Sequence, residues 1–320
     1  MRLAPPQLRL ILIAAAATAC VAAAPAPTPA PAVDQEATVV QELVVTAPVR
    51  GPAWWRVSNA TSTVYVMGVP GGLPKGMAWD TSLLERRLTG ANQLISTPQA
   101  AVHLGDLLPL WSAARHLKSD GPMEDGLAPD LRTRFEAVRS QLSNDPHAYS
   151  AWIPFVAALQ MVGDYRKKTG LDPFEPAKTV GRLARQHGVP VKPSSLLPVM
   201  PIVQAAETEG AAAGPACLSD ALHEIEAGPG PVRSAVDGWA NGDVAQALEA
   251  ERGYEKCVSR FPEGDAIVSQ TMSDATNAIA AALAKPGHSV AIVNLRTLLA
   301  RGGVLQQLEA RGYTVANPAQ

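Results

Sequence analysis

The sequence is short of the residues from which most reactive sites are built. Its 320 residues include 3 Cys and 6 His, with 5% aromatic and 18% charged residues. No two cysteines stand in a CxxC spacing, so dithiol redox chemistry has no support. His103, His116, His147, His187, His223 and His288 are scattered, with no HExxH and no pair at helical metal-ligand spacing. Each reads as a surface or capping residue. There is neither a GxSxG elbow nor a Walker A loop, which argues against an α/β-hydrolase and a P-loop nucleotide enzyme. A formal net charge of −2 leaves no basic footprint for a polyanion, so nucleic acid is not an expected partner. Trp54, Trp55, Trp79, Trp111, Trp152 and Trp239 are dispersed, as expected of core and cap packing.

What is present is a chain with 47% hydrophobic residues, enough for one large or two small cores. Its first residues read as an export signal over 1–24: Arg2 and Arg9, an apolar stretch over 10–17, then small residues. That stretch is shorter than the about 20 residues needed to span a bilayer. Ala22-Ala23-Ala24 offers an ordinary cleavage site, whereas Ala17-Thr18-Ala19-Cys20 resembles a lipobox without its usual first Leu. Membrane attachment is therefore expected only if Cys20 is acylated. Residues 25–51, rich in Ala and Pro, read as a disordered linker. Within it, 41–47 resembles the short extended segment near the mature N-terminus of TonB-dependent outer-membrane proteins, and marks a candidate contact with an envelope or outer-membrane transport partner. The plainer reading is an apolar patch before the first strand. With Cys20 set aside, Cys217 and Cys257 form an even pair, the composition expected of one disulfide in an exported protein; two buried free thiols are the alternative.

The folded part is expected over 52–316. Short runs of β-branched and aromatic residues over 54–57 and 63–68, separated by Ser58-Asn59-Ala60, predict a β-hairpin. Helices are predicted over 80–88, 128–142, 146–162, 179–186, 265–284 and 304–310, and short strands over 93–96, 189–191, 289–295 and 312–315. Between Pro215 and Val258 two helical stretches flank Gly228-Pro229-Gly230-Pro231, with Gly242-Asp243 opening the longer second one. That hairpin would bring Cys217 and Cys257 to one end. Strands at both ends of a helical middle predict an α+β (α/β-like) fold, in which N- and C-terminal strands share a central mixed sheet flanked by helices. No repeat of fixed period is present.

Several segments in order resemble the TraB/GumN family, which includes the Tiki metalloproteases. They are 52–57 with 62–68, then Leu171-Asp172, 180–191 and Trp239-Ala240-Asn241-Gly242-Asp243, and finally 302–305 with 310–315. The resemblance implies a divalent metal held by a Gly-x-x-His motif after the second strand, an acidic residue ending the next strand and a second His after the penultimate strand. In this chain the motif falls on Gly68-Val69-Pro70-Gly71, so Gly71 replaces the His. Thr97 stands at the acidic position and Thr297 at the second His. The family's Arg-Asn pair on the preceding helix reads Thr276-Asn277, and Ser195 or a neighbour occupies a further acidic position. Glycine carries no donor, and neutral Thr hydroxyls are poor substitutes for imidazole and carboxylate. The expectation is a non-catalytic binding or scaffold protein of the bacterial periplasm or envelope, without metal or cofactor, whose cleft holds a peptide or small-molecule ligand. The rival is a metal-dependent hydrolase with relocated residues, for which Asp80, Glu85, His103 and Asp106 are the nearest in sequence.

Overall fold

The structure, a computed structural model, describes residues 51–249, 256, 257, 259 and 262–317. The expected export segment, Cys20 and segment 41–47 lie outside the described residues. The strands are β1 (Trp54–Ser58), β2 (Ser62–Val69), β3 (Leu73–Pro74), β4 (Leu94–Ser96), β5 (Gln99–Ala101), β6 (Leu171–Asp172), β7 (Val191–Pro193), β8 (Leu196–Pro198), β9 (Gly287–Asn294) and β10 (Thr314–Ala316). The α-helices are α1 (Ser82–Leu88), α2 (Leu107–His116), α3 (Pro129–Leu142), α4 (Pro154–Lys168), α5 (Glu175–Gln186), α6 (Val199–Glu226), α7 (Gly230–Ala240), α8 (Val244–Ala247), α9 (Pro262–Leu283), α10 (Leu295–Leu299) and α11 (Val304–Ala310).

The two ends of the chain do share one sheet, ordered β10-β1-β2-β9-β4-β7. Its β10, β1 and β2 pair antiparallel, whereas β2, β9, β4 and β7 run parallel. β2 and β9 are the long central strands, rich in Val and Ile and buried over most of their length, as parallel strands covered by helices must be. The hairpin turn is held by Asn59. Its Oδ1 accepts the amides of Thr61 and Ser62 at 3.0 and 2.9 Å, and its Nδ2 donates to the Leu283 carbonyl at 2.9 Å. One side chain thus closes the turn and ties it to the end of α9.

Helices α1 and α5 pack near β9 and β4, while α9 and α10 meet β2 and β9. Trp55, Val66, Ile279, Leu283, Ala291 and Leu308 belong to this sheet core. A second apolar cluster lies among the helices, with Phe135, Met161, Leu218 and Leu222 fully buried. Cys217 and Cys257 in that cluster are joined by a disulfide, with Cα atoms 4.5 Å apart. Among the described residues no helix is long and apolar enough to cross a membrane.

Four expected boundaries are corrected. The helix predicted over 146–162 begins only at Pro154, whose fixed φ suits a first turn, because Tyr149 with φ of 68° sits in a left-handed turn before it. The helix predicted over 179–186 begins at Glu175. Pro215 does not open a helix but lies inside the single α6, a position that ordinarily breaks one. Tertiary packing decides otherwise: a Cβ added at Gly214 would stand 3.0 Å from the Phe155 amide nitrogen and 3.1 Å from Pro154 Cβ, so glycine lets α6 press against the start of α4. Beyond Gly242, Asp243 does cap a helix, its Oδ1 accepting the Gln246 amide at 3.0 Å, but α8 ends at Ala247 and is not the longer helix expected. Segments β5, β8 and α2 had no counterpart in the sequence reading.

Candidate functional site

Parallel strands of one sheet point the same way, so the carboxyl ends of β2, β9, β4 and β7 share an edge, where folds of this kind commonly hold ligands. The register puts Val69 opposite Asn294, Leu94 opposite Val290 and Ser96 opposite Pro193. Gly71, Thr97 and Thr297 follow the ends of β2, β4 and β9 respectively. The topology therefore brings all three to the same edge.

Local bonds account for most of what these positions do. Gly71 is exposed in the bend between β2 and β3, and Thr97 is half-buried. Asn294 caps α10, its Oδ1 accepting the Arg296 amide at 3.0 Å and the Thr297 amide at 3.4 Å. The Thr297 hydroxyl donates to the Asn294 carbonyl at 3.0 Å, so its proton is engaged in the same cap. Gly68 is required by packing: a Cβ there would lie 2.4 Å from Leu295 Cδ1 and 3.2 Å from the Trp55 ring. Its carbonyl accepts the Trp239 indole N–H at 2.7 Å, and Trp239 stacks edge-on against Trp79. Thr276 and Asn277 do not act together. Thr276 is buried with its hydroxyl on the Met272 carbonyl at 2.8 Å, whereas Asn277, the next residue round the helix, is exposed.

Further polar groups collect where β4 and β7 end. The Ser194 amide donates to the Ser96 carbonyl at 2.8 Å and the Gln99 amide to the Ser195 carbonyl at 3.1 Å. The hydroxyls of Ser194 and Ser195 are buried and meet no partner among the described residues. Asp172, buried on β6 opposite Leu73, is the carboxylate that pairing with β3 brings towards the bend carrying Gly71. Both its oxygens are engaged: Oδ1 accepts the Phe174 amide at 2.8 Å, and Oδ2 meets the Lys178 ammonium. Lys178 chiefly, with the Phe174 amide, holds this carboxyl below the usual carboxylate range against the opposing effect of burial. No local pattern marks Asp172 as a site residue; its spacing from Lys178 is visible in the sequence, but only the fold shows that the two meet.

Beyond these strand ends the β5–β8 ladder continues from β4 and β7. On and after these strands large apolar side chains face solvent: Leu196 is 64%, Leu104 89%, Leu108 78% and Trp111 63% exposed. The run Leu107-Leu108-Pro109-Leu110-Trp111 was legible in the sequence, but its exposure was not.

A divalent metal does not fit the residues at this edge. Glycine has no donor atom, the neutral Thr97 and Thr297 hydroxyls are weak ligands, and among the described residues no group of three His, Cys, Asp or Glu side chains could hold a metal. The alternative carboxylates are committed to local turns. Asp106 Oδ2 accepts the His103 amide at 2.8 Å, Glu85 accepts the Thr81 hydroxyl at 2.7 Å, and Asp80 accepts the Ser82 amide at 2.9 Å.

A family model described as the TraB/PrgY/gumN family matches residues 53–317. No curated protein and no solved structure matches the chain.

Proposed function

The chain belongs to the TraB/PrgY/gumN family, and from that premise we propose that it is an exported, non-catalytic member that uses the edge formed by its parallel strand ends to hold a peptide or small-molecule ligand. The observation that carries this reading is the chemistry of Gly71, Thr97 and Thr297: three adjacent strands end at positions without one strong metal donor. The buried Ser194 and Ser195 hydroxyls supply neutral hydrogen-bonding groups beside that edge. Exposed Leu104, Leu108, Trp111 and Leu196 supply apolar surface, the combination by which binding sites hold uncharged peptide segments.

Elemental analysis of the purified full chain after dialysis tests the reading. Mn, Co and Zn should each remain far below one equivalent per chain, because a site without imidazole or carboxylate lacks the donors that hold such ions through dialysis. One equivalent retained through dialysis, with cation-dependent cleavage of peptides, would instead establish the hydrolase.

Export is supported by the basic and apolar pattern over 1–24 and by the bonded pair Cys217–Cys257, since such bonds persist in oxidising compartments. Deleting residues 2–24 should leave both thiols open to alkylation in lysates denatured directly in the alkylating agent, because both cysteines are buried in the fold, whereas the full chain should resist labelling. A truncated chain that is bridged in the cytosol would contradict export as the source of the bond. In the same experiment Cys20→Ser separates the two processing routes: loss of membrane fractionation marks a lipoprotein, unchanged partitioning a soluble periplasmic protein. Segment 41–47 is the proposed contact with an envelope partner.

A further inference from the structure

At the opposite edge of the sheet, near the amino-terminal ends of β2 and β9, lies an open cleft of about 500 Å³ beneath the last turn of α1. We propose that this cleft binds the oxyanion group, phosphate or carboxylate, of a small molecule. Arg56, Arg86 and Arg87 line it, and among the described residues no acidic side chain does. Strand register explains the convergence. Arg56 on β1 stands opposite Tyr65 on β2, and Thr63 on β2 opposite His288 on β9, so one face of the sheet presents these residues to the two arginines that end α1.

Arg87 is held as a recognition group would be. Its guanidinium lies 4.4 Å from the Trp54 ring centre and 4.5 Å from that of Tyr65. The His288 ring N–H at Nε2 donates to the Arg87 carbonyl at 3.0 Å, which fixes the end of α1 on β9. Its Nη1 is buried and meets no acceptor among the described residues, an arrangement that costs free energy unless something supplies one. Burial pushes this guanidinium down to about 10, with Tyr65 opposing and Arg86 adding to the effect, so it remains charged at neutral pH. None of the three arginines has an ion-pair partner among the described residues. The helix dipole explains basic residues in a last turn, but neither Arg56 on the neighbouring strand nor the buried Nη1. A forked guanidinium beside two further positive charges matches the planar or tetrahedral oxygens of a carboxylate or phosphate.

Isothermal titration of the full chain at constant ionic strength, with inorganic phosphate in one arm and acetate in the other, tests this. Saturable binding in the phosphate arm identifies a phosphoryl ligand; saturation by acetate alone identifies a carboxylate. Arg56 and Arg86 are exposed, so the double variant Arg56→Gln/Arg86→Gln keeps the half-buried Arg87 stack and should fold. Its affinity should fall on the order of tenfold or more, as expected for the loss of charge-assisted contacts. No saturable binding in either arm, or an unchanged affinity in the folded double variant, would overturn the proposal.

Discussion

Replacing the two bridged cysteines, Cys217→Ala with Cys257→Ala, should lower unfolding stability by about 4 kcal/mol, the largest single loss expected in this chain. The bond closes a loop of sequence separation 40, and in the chain-entropy model a loop of that length removes about 4 kcal/mol worth of unfolded-state freedom. Its position adds to the consequence. Cys217 lies inside α6, fully buried among Leu218, Leu222 and Phe135, and Cys257 shortly precedes α9. The bridge therefore fastens the helical cluster to the segment that leads into the sheet core. Alanine is the suitable replacement, because a serine hydroxyl buried there would add an unsatisfied polar group. Urea unfolding with and without reductant reads the effect. The wild-type midpoint should fall in reductant towards that of the double variant, which reductant should leave unmoved; equal midpoints for all four samples would show that the bond contributes nothing.

Arg139→Met should cost about 3 kcal/mol near neutral pH, through the charge it strands rather than the contact it removes. Glu124 is only 6% exposed, and its Oε1 accepts from the Arg139 guanidinium at 2.7 Å and from the Ser150 hydroxyl at 2.8 Å. The same guanidinium also reaches the Ser150 hydroxyl at 3.1 Å and lies over the Phe135 ring. Removing one partner of a buried pair leaves an uncompensated carboxylate, which is why such changes typically cost about 3 to 5 kcal/mol while replacing both partners can be nearly neutral.

The pH dependence separates this mechanism from lost packing. Burial, the largest influence on Glu124, raises its carboxyl pKa, but its own backbone amide, Arg139 and Ser150 together outweigh burial and hold it below 4.5. A folded-state value below the unfolded one means that the contribution is fully present above about pH 4.5 and is lost as pH falls through the lower folded value. Without Arg139 the influences that lower this pKa weaken while burial remains, so the folded value rises and the ionised carboxylate stabilises the variant less than it does the wild type. Urea midpoints should therefore show Arg139→Met closer to wild type near pH 4.5 than at neutral pH, with Glu124→Gln/Arg139→Met recovering much of the loss. A deficit that is the same at both pH values would assign the effect to packing.

The disulfide was legible in the cysteine count, but the network around Glu124 was not visible in the residue pattern. Arg139 and Glu124 belong to a helix and to the 3-10 turn before it, and Ser150 to an irregular turn, so only the folded chain puts them within hydrogen-bond reach. The same holds for the basic cleft. Arg86 and Arg87 fall at the end of the helix predicted over 80–88, and their meeting with Arg56 depends on strand register. The late start of α4 follows from Pro154 and the left-handed turn at Tyr149, whereas in the unbroken passage of α6 through Pro215 the close approach permitted by Gly214 outweighs local propensity.

Local chemistry determined the hairpin of 54–69, the helices with clear caps or periodicity, the family to which the chain belongs and the poverty of strong metal donors at Gly71, Thr97 and Thr297. These follow from residue type and spacing within a few turns of chain. Tertiary structure alone decided that three neutral positions share one sheet edge, that Gly68 is held by Leu295 and Trp55, and that a cluster of arginines gathers at the far end of the same strands. The reason is that β2 and β9 are neighbours in space although more than two hundred residues separate them in sequence, and no local periodicity carries such a pairing.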